Sequence, residues 1–176
     1  MLASGLVGMV GMGLAPAAEA AFNSNQTSVQ MFHWSWNNIA KECSSYLGPQ
    51  GFGAVQISPP NSALKGVNWW DMYQPVDYSV LTSKMGTEAQ LQTMINTCHA
   101  AGVRVYVDVV GNHLAAGSGT STAGASFNAA TLSYPRFSAP DFHSACDIQA
   151  SDYGSPGNRN SVMNCRFSSS FCITLI

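Results

Sequence analysis

Charge is scarce in this sequence. Lys, Arg, Asp and Glu make up 9% of its 176 residues, and the formal net charge is −2. A surface for gripping nucleic-acid phosphates needs a basic surplus, so a nucleic-acid partner is not expected. No run of like charge marks a solvated tail. No Lys or Arg precedes Lys41. The apolar N-terminal run is broken by glycines and Pro16, which argues against a bilayer-spanning helix and a membrane partner. Cys43, Cys98, Cys146, Cys165 and Cys172 include no Cys-x-x-Cys pair, which argues against structural zinc. No Asp or Glu follows Asp152, and there is no internal repeat.

What remains is 46% hydrophobic, enough for one domain with a sizeable core. Sixteen glycines and eight prolines point to long loops. Residues 1–21 are small and apolar, and Ala18-Glu19-Ala20 has the small-x-small form of a leader cleavage site. The positive start of a secretory leader is missing from it. An odd number of cysteines fits disulfides with one thiol left over, and these favour a secreted, extracellular chain.

The stretch Val103 to His113 organises the rest. Every second residue from Val103 to Val109 is valine, the period of a strand packing one face against helices. Arg104, Tyr106 and Asp108 lie on the other face. Gly111 breaks the strand, and Asn112 and His113 follow. An acid, an amide and an imidazole thus leave one strand end together, where parallel α/β barrels place their chemistry. Upstream, Val29 to Trp34 reads as a strand, and Asn37 as the cap of a helix with Ile39, Cys43, Tyr46 and Leu47 on one face. Gly48-Pro49 ends that helix, and Gly53 to Ser58 is the next strand. After an aromatic-rich loop from Pro59 to Gly86, Thr87 and Gln90 form a capping box for a helix carrying Leu91, Met94, Ile95 and Cys98. Strand, helix, strand, helix, strand predicts a parallel α/β sheet. From Gly111 onward the pattern lapses into an irregular excursion.

Several stretches resemble the alpha-amylase family of glycoside hydrolases. Asp108-Val109-Val110-Gly111-Asn112-His113 resembles its first conserved region. Gly51 to Pro60 resembles the second strand of animal and actinobacterial members, and Trp69-Trp70-Asp71-Met72-Tyr73-Gln74-Pro75 their substrate loop. Phe142 to Ile148 and Asn164-Cys165-Arg166 resemble parts of the calcium-binding domain B inserted after the third strand. The five occur in family order.

The resemblance implies an α/β fold, a partial (β/α)8 TIM barrel holding the first three strands, with part of domain B. The expected division is a leader-like segment over 1–21, barrel over 22–110, domain B over 111–166, and a tail over 167–176 that departs from the family. It implies endo-hydrolysis of α-1,4 links in starch or glycogen with retention, by a monomer. Asp108 and His113 would hold hydroxyls of the sugar at the cleavage subsite, and Tyr73 would stack beneath it. Trp69 and Trp70 would face neighbouring glucose rings, and Gln74 would add a hydrogen bond. A loop cluster packed on the barrel rim is the plain alternative for the tryptophans. Asn112 would give an oxygen to calcium, an incomplete site by itself. Chloride is not expected to bind. The family's bridges correspond to Cys43–Cys98 and Cys146–Cys165, with Cys172 free. His33 stands where these enzymes often carry a glutamate, and Met163 near an arginine whose carbonyl meets calcium. No stretch matches the family's nucleophile or acid/base motifs, which stand on its fourth and fifth strands. The expectation is therefore an N-terminal piece of an alpha-amylase, inactive by itself. A non-catalytic glucan-binding protein and a misread gene without stable product are the alternatives.

Overall fold

In the computed structural model, residues 21–154 and 158–166 and the backbone of 173–174 are described. The leader-like segment, Cys172 and nearly all of the 167–176 tail lie outside them.

Three strands form the central sheet. β1 (Ser28–Met31) leads into α1 (Trp36–Glu42), and then comes β2 (Ala54–Ile57). β3 (Ser62–Ala63), a 3-10 turn over Trp69–Tyr73 and β4 (Pro75–Asp77) occupy the aromatic loop. α2 (Glu88–Ala100) and β5 (Arg104–Val107) complete the unit. The sheet order is β1-β2-β5, all parallel, with Val29, Val55 and Val105 in register and Gln30, Gln56 and Tyr106 beside them. This is the strand-helix-strand-helix-strand order that the hydrophobic pattern predicts.

The valine register packs against α1 and α2. Trp36, Ile39, Val55, Ile57, Met94 and Val103 are all under 2% exposed. Burying each large aliphatic side chain contributes about 1.5–3 kcal/mol. The Cys43–Cys98 disulfide ties the two helices together on this face. Thr87 caps α2, its hydroxyl accepting from the Gln90 amide while Gln90 reaches back to the Thr87 amide. Gly102 closes it at φ +76°, a conformation that side chains resist.

Three expectations need correction, at the cap of α1, at Tyr46 and at the end of β5, whereas the open valine face is what three strands of a closed barrel lead one to expect. Ser35, not Asn37, caps α1, because the helix begins two residues earlier, at Trp36, whose ring is wholly buried. Tyr46 is half exposed, whereas helical spacing predicts it on one face with the buried Ile39, Cys43 and Leu47. The chain widens into a π-turn at Cys43–Leu47, with the Ser44 and Ser45 hydroxyls donating to the carbonyl of Lys41, so the helical spacing no longer holds there. The valine face is only partly covered: Val103 is buried, but Val107 and Val109 are 44% and 71% exposed. β5 is an edge strand here, and no described strand pairs with it on the far side from β2. Strand pairing also stops at Val107, ahead of Gly111.

The excursion is better ordered than its sequence suggests. β6 (His113–Leu114) is followed by a hairpin of β7 (Ser118–Thr120) and β8 (Ser126–Asn128). β9 (Ser144–Asp147), α3 (Arg159–Asn164) and β10 (Cys165–Arg166) come next, with the Cys146–Cys165 disulfide joining β9 to β10. The backbone of β11 (Ile173–Thr174) pairs antiparallel with β6. A second core of Val76, Leu114, Ala115, Phe127, Tyr134 and Phe142 holds this part to the aromatic loop. Aromatic residues without helical or strand periodicity build it, so periodicity alone does not reveal it.

Candidate functional site

The carboxyl ends of the three parallel strands meet at one edge, and the chemistry-bearing side chains gather there. The Asp108 amide donates to the Ile57 carbonyl at 3.2 Å, which fixes Asp108 just past the end of β5 against the end of β2. At the end of β1, His33 takes a φ of +62°, and its amide donates to the Ser58 hydroxyl at 2.9 Å. A positive φ is uncommon outside glycine. Here it turns the chain out of β1 beside Phe32.

The 3-10 turn Trp69–Tyr73 delivers the aromatic residues to the same edge, and a buried acid pins it. Asn68 and Asp71 form a reciprocal capping box, with the Asn68 amide donating to Asp71 at 2.8 Å. Asp71 is 2% exposed. Lys84 lies 4.0 Å from its carboxylate and donates to the Asn68 carbonyl at 2.6 Å. Burying a carboxylate is costly unless it has hydrogen-bonding partners such as these. Gly66 passes so close that a Cβ there would strike the Asp71 carboxylate. With Met72 buried on the inner side, Trp69 and Trp70 turn outward, 53% and 48% exposed.

Tyr73 joins the turn to the strand end. Its hydroxyl donates to Oδ2 of Asp108 at 2.7 Å. Burial first, then this hydrogen bond and the nearby negative charge, push the Tyr73 phenol up to about 12, so it remains a donor at neutral pH. The Tyr73 carbonyl lies 2.9 Å from Nε2 of His113. A carbonyl only accepts, so Nε2 carries the proton and Nδ1 is the ring's acceptor. Asn112 approaches that Nδ1 with its amide nitrogen at 3.4 Å, leaving its side-chain oxygen turned away. Gln74 accepts from the Ala116 amide at 3.4 Å through its oxygen, which leaves its NH2 group as a donor.

The expected site residues therefore gather around one strand end. Asp108, Tyr73, His113 and Asn112 form a linked chain of polar contacts. Trp69 packs edge-on against Tyr73 at 6.4 Å and against Trp70 at 5.6 Å. Gln74 stands one residue beyond the turn. The sequence reading missed Phe32, 40% exposed and edge-on to Trp69 at 5.7 Å, because it was counted within a strand. It also missed Asp71, Lys84 and Gly66. Asn68 three residues ahead of Asp71 was the available signal, since that spacing makes a capping box.

The arrangement is an open aromatic shelf ending at a hydrogen-bonded carboxylate. Flat apolar faces beside directional polar groups suit a ring that is apolar on its faces and hydroxylated at its rim. Asp71 is spent on the turn, Asp77 accepts from the Ser79 amide and hydroxyl, and Asp141 and Asp152 are engaged in local turns. A separate hollow lined by Phe142, His143, Ser144, Met163 and Asn164 lies in the excursion and contains none of the site residues.

The family profile described as "Alpha amylase, catalytic domain" matches residues 36–169. An alpha-amylase of Aeromonas hydrophila is 50% identical over 131 residues, covering 74% of this chain and 29% of that protein. One of Pecten maximus is 46% identical over 148 residues, covering 80% and 29%. The crystal structure of wild-type alpha-amylase I from Eisenia fetida superposes with a TM-score of 0.76 at 35% identity, covering 90% of this chain and 33% of that one. A variant of the same enzyme, solved as a maltohexaose complex, superposes at 0.72 with 34% identity, covering 88% and 34%. This chain spans less than a third of the length of the two curated relatives.

Proposed function

The chain belongs to the alpha-amylase family, and from that premise we propose that it supplies the substrate-holding edge of an enzyme that hydrolyses internal α-1,4 links of starch or glycogen. The family barrel, entered here by its first three strands, places its chemistry at the carboxyl ends of its strands. The observation that carries the proposal is the 2.7 Å bond from Tyr73 to Asp108 at that end, beside the exposed face of Trp69.

In this reading residues 22–110 belong to the barrel and 111–166 to domain B. The Asp108 carboxylate accepts from sugar hydroxyls with the oxygen that Tyr73 does not hold. His113 takes part through Nδ1, since Nε2 is held by the Tyr73 carbonyl. Tyr73 stacks beneath the ring, Trp69 and Trp70 carry the neighbouring glucose units, and Gln74 donates its amide. The maltohexaose bound by the Eisenia fetida variant is a ligand of this type.

Retaining hydrolysis requires a nucleophile and an acid/base carboxyl about 5 Å apart. Asp108 is assigned to binding, and Asp71, Asp77, Asp141 and Asp152 are held in turns. This chain therefore binds glucan without cutting it. Calcium takes roughly six to eight oxygens, and Asn112 offers one. Among the described residues no group of three His, Cys, Asp or Glu could hold a metal. These residues do not make a calcium site, so no step is assigned to one. Two disulfides fit passage through an oxidising, secretory compartment.

Tryptophan fluorescence tests the proposal. Titration with maltohexaose should change the emission saturably, and Trp69→Ala should remove most of the response while leaving the far-ultraviolet spectrum unchanged. A flat titration of the folded chain would contradict it.

A further inference from the structure

We propose that Asn25 is an acceptor for N-linked glycosylation. Asn25-Gln26-Thr27 has the Asn-x-Thr form that a glycosylation enzyme reads, with Gln, not Pro, in the middle. The structure presents it well. Asn25, Gln26 and Thr27 are all exposed. The Asn25 side-chain oxygen accepts from the Thr27 amide at 2.8 Å, folding the tripeptide into a tight Asx turn. That bond uses the oxygen and leaves the Asn25 Nδ2, the atom to be modified, facing solvent.

The turn is held to the body of the protein. Asn23 donates to the Phe52 carbonyl at 3.0 Å, and Gly53 donates to the Thr27 carbonyl at 2.9 Å. Arg104 donates to the Asn23 carbonyl at 3.1 Å, with its guanidinium 4.9 Å above the Phe22 ring. Gly53 and Arg104 stand at the amino ends of β2 and β5. Asn25 thus lies at the opposite end of the sheet from Asp108, and a glycan there is clear of the proposed glucan-binding edge. Asn96-Thr97-Cys98 is a weaker, cysteine-type variant. It lies within α2, and its Cys98 is wholly buried in the disulfide to Cys43, so it should stay unmodified.

The donor is an oligosaccharide carried on a polyprenyl diphosphate. Nδ2 of Asn25 attacks the anomeric carbon, the new C–N bond replaces the C–O bond to phosphate, the polyprenyl diphosphate leaves, and the amide loses one proton. No oxidant or reductant is needed. The proposal rests on the secretory reading given above.

The test is secretion of the full chain, behind a cleavable leader, from a eukaryotic host, followed by glycosidase treatment and mass spectrometry. The Asn25 peptide should carry the glycan and, after release by an amidase-type glycosidase, hold an aspartate in its place. Asn25→Gln and Thr27→Ala should abolish the modification, and Thr27→Ser should retain it. The Asn96 peptide should be bare in every case. Disulfide-bonded, secreted chain with an unmodified Asn25 would overturn the proposal while leaving the secretory reading intact. Chain recovered only in reduced form would count against both.

Discussion

Tyr73 and Asp108 are 35 residues apart in sequence, and the phenol of one donates to the carboxylate of the other at 2.7 Å. The bond links the 3-10 turn Trp69–Tyr73 to the end of the edge strand, and it orients Asp108 by holding one carboxylate oxygen. Tyr73→Phe keeps the ring and loses the bond, a change of about 1 kcal/mol. Maltohexaose binding should weaken by roughly fivefold to tenfold. Asp108→Asn should weaken it further, since the amide accepts less strongly than the ion. Calorimetric titration measures both.

The pH response follows from the two raised phenols. Tyr73 and Tyr78 are each pushed up to about 12, Tyr78 by burial alone. In the unfolded chain both titrate near 10. The folded state therefore holds more protons between these values. The stability from these phenols is complete below about pH 10 and is lost as pH rises through about 12. Phenolate absorbance should show Tyr73 and Tyr78 among the late-ionising tyrosines, and the late phase should lose one phenol in Tyr73→Phe. Ordinary titration of all the tyrosines would show that neither phenol is buried as described.

Gly66 tests the pin beneath the tryptophans. A Cβ there meets the Asp71 carboxylate, which cannot retreat because it is buried between Asn68 and Lys84. Gly66→Ala should destabilise by about 1–3 kcal/mol, the range for overpacking. It should also disturb the near-ultraviolet signal of the tryptophans. Gly111→Ala, where nothing lies within 4 Å, is the control and should be neutral.

The open edge should have a solution signature. Tyr106 and Val107 on β5, and Val109 just beyond, are 53%, 44% and 71% exposed. Unpaired strand edges with apolar side chains template association. The chain should bind hydrophobic dyes and associate as its concentration rises. Val107→Lys with Val109→Lys should reduce both effects. A monomer at all concentrations without dye binding would show that the edge is covered.

Much of this was legible in the residues. The valine period located β5, Thr87 and Gln90 marked the start of α2, and the order of elements gave the parallel sheet. Ser35-Trp36-Asn37-Asn38 offers several capping residues, and only the burial of Trp36 decides that the helix starts at Trp36. A period of two says only which residues share a face; the exposure of Val107 and Val109 follows from having three strands of a closed barrel, which leaves the third with an open edge and part of its apolar face uncovered. Tyr73, Asp108 and His113 could be named individually. Their contacts arise because a turn and a strand distant in sequence meet at one sheet edge. His33 gave no warning of its positive φ, since no local rule places histidine there.

Reducing-sugar release from soluble starch tests the central claim most directly. We propose that the chain holds glucan at Trp69, Tyr73 and Asp108 without cutting it. The account predicts no release above buffer from purified, folded chain that binds maltohexaose. Turnover that survives repurification and is lost in Asp108→Asn would contradict it, because it would place a catalytic carboxylate where only a binding one is assigned.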